Sequence, residues 1–266
     1  MLSESHKEIH LFIFEGDSAE PKLFDNLEIN FPVKSISIKT IFGGNIYHLF
    51  SNLKDDPYLD ILSVIKERNP ENAAKLKDLD PEDISSIYLF FDYDAHTKYA
   101  SDIEVEDLLK FFDNENEYGL LYISYPMIEA LRHYNDYNSF KDLVVKCKGF
   151  NCPRKDMCEN QETCMEEPRY KKMVHNDTIE KWKDISNYSI EMWKELIEAH
   201  LSKMNYIMKD SYHFPDCTYH QLEIFYSQLK KYINQDCPHV AVLSPFPIYL
   251  LDYYGITKLK EIMKQD

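Results

Sequence analysis

Apolar and β-branched residues along this chain fall into short runs that stop on an acid, and the stretches between them repeat apolar residues three and four apart. The first run, Ile9 to Phe14, ends in Glu15-Gly16-Asp17-Ser18-Ala19-Glu20-Pro21. It reads as a buried strand that delivers a carboxylate to its C-terminal tip, with Pro21 in the first turn of a helix. Leu23, Phe24, Leu27 and Phe31 then keep helical spacing over Pro21 to Phe31. Val33 to Ile41 alternates as a short strand, and Gly43-Gly44 turns the chain into Tyr47 to Leu53. A helix over Tyr58 to Arg68 carries Leu59, Ile61, Leu62 and Ile65 on its apolar side. Asn69 to Glu82 is polar, punctuated by Pro70 and Pro81, and reads as surface connection.

Ser86 to Phe91 repeats the first pattern and ends in Asp92-Tyr93-Asp94, two acids that share one face of an extended chain. A polar loop through Ser101 leads to a helix over Ile103 to Phe112. The third run, Tyr118 to Tyr125, leads into Pro126 and a predicted helix carrying Glu129. Strands alternating with helices predict an α/β fold, a parallel sheet flanked by helices. Such sheets bind ligands at the carboxyl ends of their strands, where Glu15, Asp92 and Asp94 fall. Beyond Lys146 the pattern changes to a cysteine-rich loop, Cys147 to Pro168, and then helices over Ser189 to Asn205 and Thr218 to Ile233. Val240 to Leu243 is a short strand or buried connection, and a last helical stretch starts at Thr257. The expected division is a core domain at 1–145 and a cysteine-bearing helical region at 146–266.

Composition narrows the classes. The chain has 266 residues, 44% of them apolar, enough for a real core. It shows neither an apolar run long enough to span a membrane nor a secretory leader, so the expectation is a cytoplasmic protein without a membrane partner. The net charge of -16 argues against broad, nonspecific attraction to nucleic acid or anionic lipid, and leaves local contacts open. Between Lys146 and Lys183 nine basic residues stand against seven acidic ones, so the acidity lies outside the cysteine segment.

Acids at three strand ends suit a hard cation. Mg2+ is held by a few carboxylates while it keeps waters and a substrate phosphate, and in such sites it activates a water and stabilises charge on phosphate oxygens. Each acid also has a plainer reading. Glu15 caps a strand, Asp17 belongs to the turn, and Glu20 and Glu129 are favoured by a helix dipole in a first turn. His96 and His133 read as hydrogen-bonded structural or substrate-side residues, because an oxygen-rich site does not select imidazole.

Taken together, Glu15-Gly16-Asp17-Ser18-Ala19-Glu20-Pro21, Phe90-Phe91-Asp92-Tyr93-Asp94-Ala95-His96 and Ser124-Tyr125-Pro126-Met127-Ile128-Glu129 resemble the Toprim fold, and within it the nucleases of the OLD-like and RloB-like type. The resemblance covers residues 8 to 135. It implies a metal-dependent endonuclease acting on DNA or RNA, tRNA included, with Mg2+ or Mn2+ as cofactor. It assigns Glu15 as metal ligand or general base, Glu20 as the second acid of that turn, Asp92 and Asp94 as paired metal ligands, and Glu129 as a further catalytic acid. The family's basic residue has no clear counterpart here; Lys98 is nearest by sequence, with Arg132 and His96 as substitutes. The resemblance also implies a role in antiphage defence beside an ATPase of the ABC or SMC kind, and a homodimer is compatible with it. The sequence carries no Gly-x-x-x-x-Gly-Lys-Ser/Thr phosphate loop, so any ATP-driven control is expected from a separate subunit. Two rivals stand beside the nuclease: a module that binds an ATPase or nucleic acid with a vestigial site, and a primase-like polymerase. The polymerase expects basic residues around the acids, and few are there.

Cys147, Cys152, Cys158 and Cys164 place four thiols in one loop. Four thiolates close a tetrahedral zinc site or hold an iron–sulfur cluster, and unliganded thiols are the third option. Lys148, Arg154 and Lys155 decorate the same loop. A second metal site around Cys217, Cys237, His213, His220 and His239 is a weaker alternative.

Overall fold

The computed structural model describes residues 8–33, 35–56, 58–93, 101–147 and 170–265. The chain divides into two compact units, residues 1–91 with 108–121 and residues 92–107 with 122–266. This division cuts within β-strands and falls elsewhere than the compositional break at 145.

The first unit holds an α/β sheet. β1 (Ile9–Phe14), β2 (Ile36–Ile41), β3 (Ile84–Asp92), β4 (Asp113–Asn114) and β5 (Gly119–Ser124) lie in the order β2-β1-β3-β5-β4. β1 pairs in parallel with β2, from Ile9↔Ile36 to Phe14↔Ile41, and with β3, ending at Phe14↔Phe90. Its residues from His10 to Phe14 are all buried, as expected of a strand covered on both faces. α1 (Ala19–Asn30) lays Phe24 against β1, with ring centroids 4.2 Å from Phe12 and 5.6 Å from Phe14. The expected parallel sheet gains one antiparallel edge, β4 on β5, through Asp113↔Leu120 and Asn114↔Gly119. Gly119, at φ 110°, admits no side chain, since a Cβ there would lie 2.4 Å from Leu89 Cδ1.

Four sequence expectations shift in this unit. β2 starts at Ile36 rather than Val33. α2 (Ile46–Asp55) forms where the sequence reading placed only a turn and the stretch Tyr47 to Leu53, and α3 (Ile61–Arg68) starts at Ile61 rather than Tyr58, because Asp60 caps it by accepting from Ser63 N at 2.9 Å and Tyr58 is 97% exposed. The polar stretch after Arg68 is more than surface connection: Asn69 caps α4 (Pro70–Lys75) and Pro70 opens it. Asn72 is buried there; it accepts from Thr40 Oγ1 at 2.6 Å and donates to Ile41 O at 2.7 Å. Lys75 Nζ donates to Lys39 O. Side chains of α4 thus occupy carbonyls of the edge strand β2, a position otherwise open to pairing with another chain.

The second unit is mainly helical. α5 (Asp102–Phe111) opens in it, and a one-turn 3-10 helix, Ile128–Leu131, follows the cis Tyr125–Pro126 peptide. Glu129 therefore stands on a single 3-10 turn where the sequence pattern predicts a helix. After α6 (Tyr137–Phe140), β6 (Val144–Lys146) pairs antiparallel with β7 (His239–Ala241), and Gln228 closes the ladder by bonding both Ala241 N and Ala241 O. α7 (Tyr170–Asp177) precedes α8 (Ile190–Lys209), which Ser189 caps and which outruns its predicted end at Asn205 to stop at Asp210, φ 58°. α9 (Gln221–Gln228) runs into a π-helical turn, Leu229–Ile233. The last helix, α10 (Pro245–Lys264), begins twelve residues before the predicted Thr257 and bends at Gly255, φ 71°. Pro245 sits where a helix leaves its N–H groups unpaired, so it starts the helix instead of blocking it. Among the described residues no helix is long and apolar enough to cross a membrane.

α8 also carries two fully buried ionisable groups. His200 Nδ1 accepts from Ser244 N at 3.0 Å, which leaves Nε2 as the donor to Leu131 O at 3.2 Å. Lys203 donates to Phe140 O at 2.8 Å and Leu143 O at 2.5 Å. Burial pushes His200 down to about 3 and Lys203 well below its usual value.

Candidate functional site

In the first unit the backbone fixes the acid turn. Glu15 N–H donates to Phe90 O at 3.2 Å and Glu15 O accepts from Gly43 N at 3.1 Å, so the residue after β1 is held on both sides. Glu20, in the first turn of α1, is only 7% exposed. Its carboxylate folds back over Gly16: a Cβ at Gly16 would meet Glu20 Oε2 at 3.0 Å and Oε1 at 3.3 Å. Gly16 thus keeps space for a buried acid that the helix N-terminus also favours.

In the second unit Asp92 ends β3, and the next residue ties that end to the chain after β5. Tyr93 N–H is shared between Ser124 O at 3.0 Å and Pro126 O at 3.1 Å, while its hydroxyl donates to Asp102 Oδ1 at 2.6 Å. Glu129 lies just beyond, 8% exposed. Its Oε1 stands 3.9 Å from Lys171 Nζ, and its Oε2 is buried with no hydrogen-bond partner among the described residues. A buried carboxylate oxygen without a donor is costly unless positive charge reaches it.

Tyr170, the first residue of α7, connects these acids. Its hydroxyl lies 3.1 Å from His133 Nδ1. Burial first, and then the negative charges of Glu129 and Asp92, hold the phenol well above its usual range, with Arg132 acting in the opposite sense. Asp92, Glu129 and Arg132 therefore act on one protonated phenol. His133 is pushed down to about 4, by burial above all, against the pull of Asp177. A neutral His133 that accepts from Tyr170 at Nδ1 keeps its proton on Nε2, 3.9 Å from Asp177 Oδ2. The structural reading of His133 fits this arrangement.

The structure thus brings Asp92, Glu129 and Arg132 into one neighbourhood within the second unit, and Glu15, Gly16 and Glu20 into one turn within the first. Asp94, His96, Lys98, Cys152, Cys158 and Cys164 lie outside the described residues. Cys147 is buried. Arg132 Nη1 donates to Lys183 O at 3.4 Å. Tyr170 and Lys171 are absent from the sequence-based set, since nothing in spacing or composition links them to an acid 41 positions earlier. Cys217 accepts from Lys209 Nζ at 3.3 Å, and the Tyr219 hydroxyl and Lys209 hold its thiol below the usual value.

Glu129 Oε2 is a buried carboxylate oxygen of the hard-donor kind, and no second carboxylate is placed beside it among the described residues. Among the described residues, no group of three or more His, Cys, Asp or Glu side chains is arranged to hold a metal ion. No protein-family model, curated protein or solved structure matches the chain.

Proposed function

We propose that this chain is a metal-dependent nuclease that hydrolyses phosphodiester bonds of DNA or RNA on a Toprim-like sheet. The observation that carries the reading is the buried Glu129 oxygen without a donor, beside a phenol that also feels Asp92. Asp92 and Glu129 are the described residues that would hold Mg2+ or Mn2+; Glu15, Glu20 and Asp94 enter on the resemblance alone. A divalent cation, when bound, supplies charge stabilisation at a phosphoryl oxygen and a more acidic water. The chain's own groups keep fixed protonation around it: Tyr170 stays a neutral donor, His133 stays a neutral acceptor, and Arg132 contributes positive charge.

The test is cleavage of plasmid DNA, single-stranded DNA and total tRNA by purified protein with Mg2+, Mn2+ or EDTA, beside Glu15→Ala and Asp92→Ala. Metal-dependent cutting that disappears in both variants is expected, and the substrate cut separates a DNase from an RNase. Full activity in both variants would remove the assignment.

A second reading, a binding module with a vestigial site, is favoured by one contact, since Lys171 already lends Glu129 a positive charge without any metal. It predicts nucleic-acid or ATPase binding that EDTA does not weaken, and no cleavage by the folded protein.

A further inference from the structure

The loop after α8 is wound around one buried amide. α8 ends at Asp210 in the left-handed region, φ 58°, which turns the chain back on the helix. Asn205, 2% exposed, holds the returning chain: its Nδ2 donates to Ser211 O at 3.0 Å and His213 O at 3.2 Å, and its Oδ1 accepts from the Tyr219 hydroxyl at 3.0 Å. A second tie comes from α10, where Lys260 Nζ lies 3.5 Å from Asp216 Oδ1 and 5.1 Å from the centre of the Phe214 ring. Cys217 is thereby carried, half-buried, to the last turn of α8. There Lys209 Nζ donates to its Sγ at 3.3 Å and lies 5.2 Å from the centre of the Tyr219 ring. Among the described residues this ammonium is paired with the sulfur rather than with a carboxylate, in a chain that carries 46 acids.

We propose that Cys217 is a modification site, a thiolate held ready by Lys209 that a hydroperoxide oxidises to sulfenic acid. Reactive thiols sit half-exposed beside a positive charge, whereas buried ones, as Cys147 is, are shielded from reagents. Tyr219 and then Lys209 hold the Cys217 thiol below its usual value, against burial and the charge of Asp216. Tyr219 has one hydroxyl proton and donates it to Asn205, so the donor on the sulfur is the lysine. In the reaction the sulfur attacks one peroxide oxygen: an S–O bond forms, the O–O bond breaks, and the sulfur gives up two electrons to the peroxide. The hydroxide that leaves takes a proton from the Lys209 ammonium and departs as water, and the amine recovers its proton from solvent. The sulfenic acid is neutral, so oxidation removes the anion that faces Lys209. Lys209 is a positioning residue in this step, since it acts through the sulfur.

The test follows each cysteine of the full chain by mass spectrometry, first during alkylation by iodoacetamide over a pH series. Cys217 is expected to react with a midpoint below that of free cysteine, and near neutral pH about fivefold more slowly in Lys209→Gln than in wild type. Lys209→Arg keeps the charge and should react close to the wild-type rate. Lys209 is exposed, so neither substitution disturbs the core. Hydrogen peroxide followed by dimedone, which captures sulfenic acid, should then mark Cys217 in wild type and mark it less in Lys209→Gln over the same time. Equal alkylation rates in wild type and Lys209→Gln would overturn the inference, as would a Cys217 that peroxide leaves unmarked. Cleavage plays no part in either readout.

Discussion

Glu20 and Glu129 are both buried acids, yet they are built in opposite ways. Glu20 is a local construction: its carboxylate lies over Gly16, and one turn of chain supplies the strand end, the glycine and the helix start. Glu129 is assembled at long range. It stands on one 3-10 turn, and the groups around it come back from α7, beyond the whole cysteine segment. A local acid depends on one small residue for its space, whereas an assembled acid depends on the helix that returns to it.

This contrast sets what substitutions should do. The largest effect is expected in catalysis. Glu129→Gln keeps the shape and removes the charge, and should lower metal-dependent cleavage by about a hundredfold or more, measured as single-turnover rate. Next comes acid sensitivity of the assembled unit. His133 and His200 have folded values of about 4 and about 3, below the unfolded value near 6.5. The unfolded chain therefore takes up protons first, so stability is full above pH 6.5 and falls as the pH drops toward 3. The loss should be on the order of 6 kcal/mol by pH 4, about 3 from each histidine, read from urea unfolding at a series of pH values. Replacing His200 with a residue that does not titrate should flatten that profile, even if it lowers stability overall.

Glycine substitutions then separate the local acid from the sheet that carries it. Gly119→Ala forces a side chain into Leu89 at a positive φ and should cost about 1–3 kcal/mol of stability. Gly16→Ala crowds only the end of Glu20; it should cost about 1 kcal/mol or less while reducing cleavage. Equal thermal shifts in the two variants would break the distinction between a structural glycine and one that keeps space for an acid. An effect of similar size on stability is expected from Tyr170→Phe, which loses one hydrogen bond to His133 and should lower stability by about 0.5–1.5 kcal/mol.

Legibility in the sequence follows the same line. β1, β3 and β5 were readable because buried strands with both faces covered are near-continuous apolar runs, and the acids at their ends stand out by contrast. α4 was not, because its buried face is built on Asn72, a polar residue that satisfies carbonyls rather than filling a core. α10 was hidden by Pro245 and Pro247, which read as breaks until the first of them is seen at a helix start. Asp92 and Glu129 were visible as residues, but their shared neighbourhood depends on Tyr170, and a return of that length leaves no periodic trace. The Glu15 turn needed no such return, and its local pattern was complete in seven residues, Glu15 to Pro21.

The most direct test of the account is the Mg2+-dependent cleavage rate of Glu129→Gln, measured beside wild type on whichever nucleic acid the wild type cuts, with thermal unfolding of both proteins as the control. The account predicts an unchanged or slightly raised melting temperature, because a buried charge has been removed, together with near-complete loss of cleavage. Cleavage at the wild-type rate by a folded Glu129→Gln protein would contradict it.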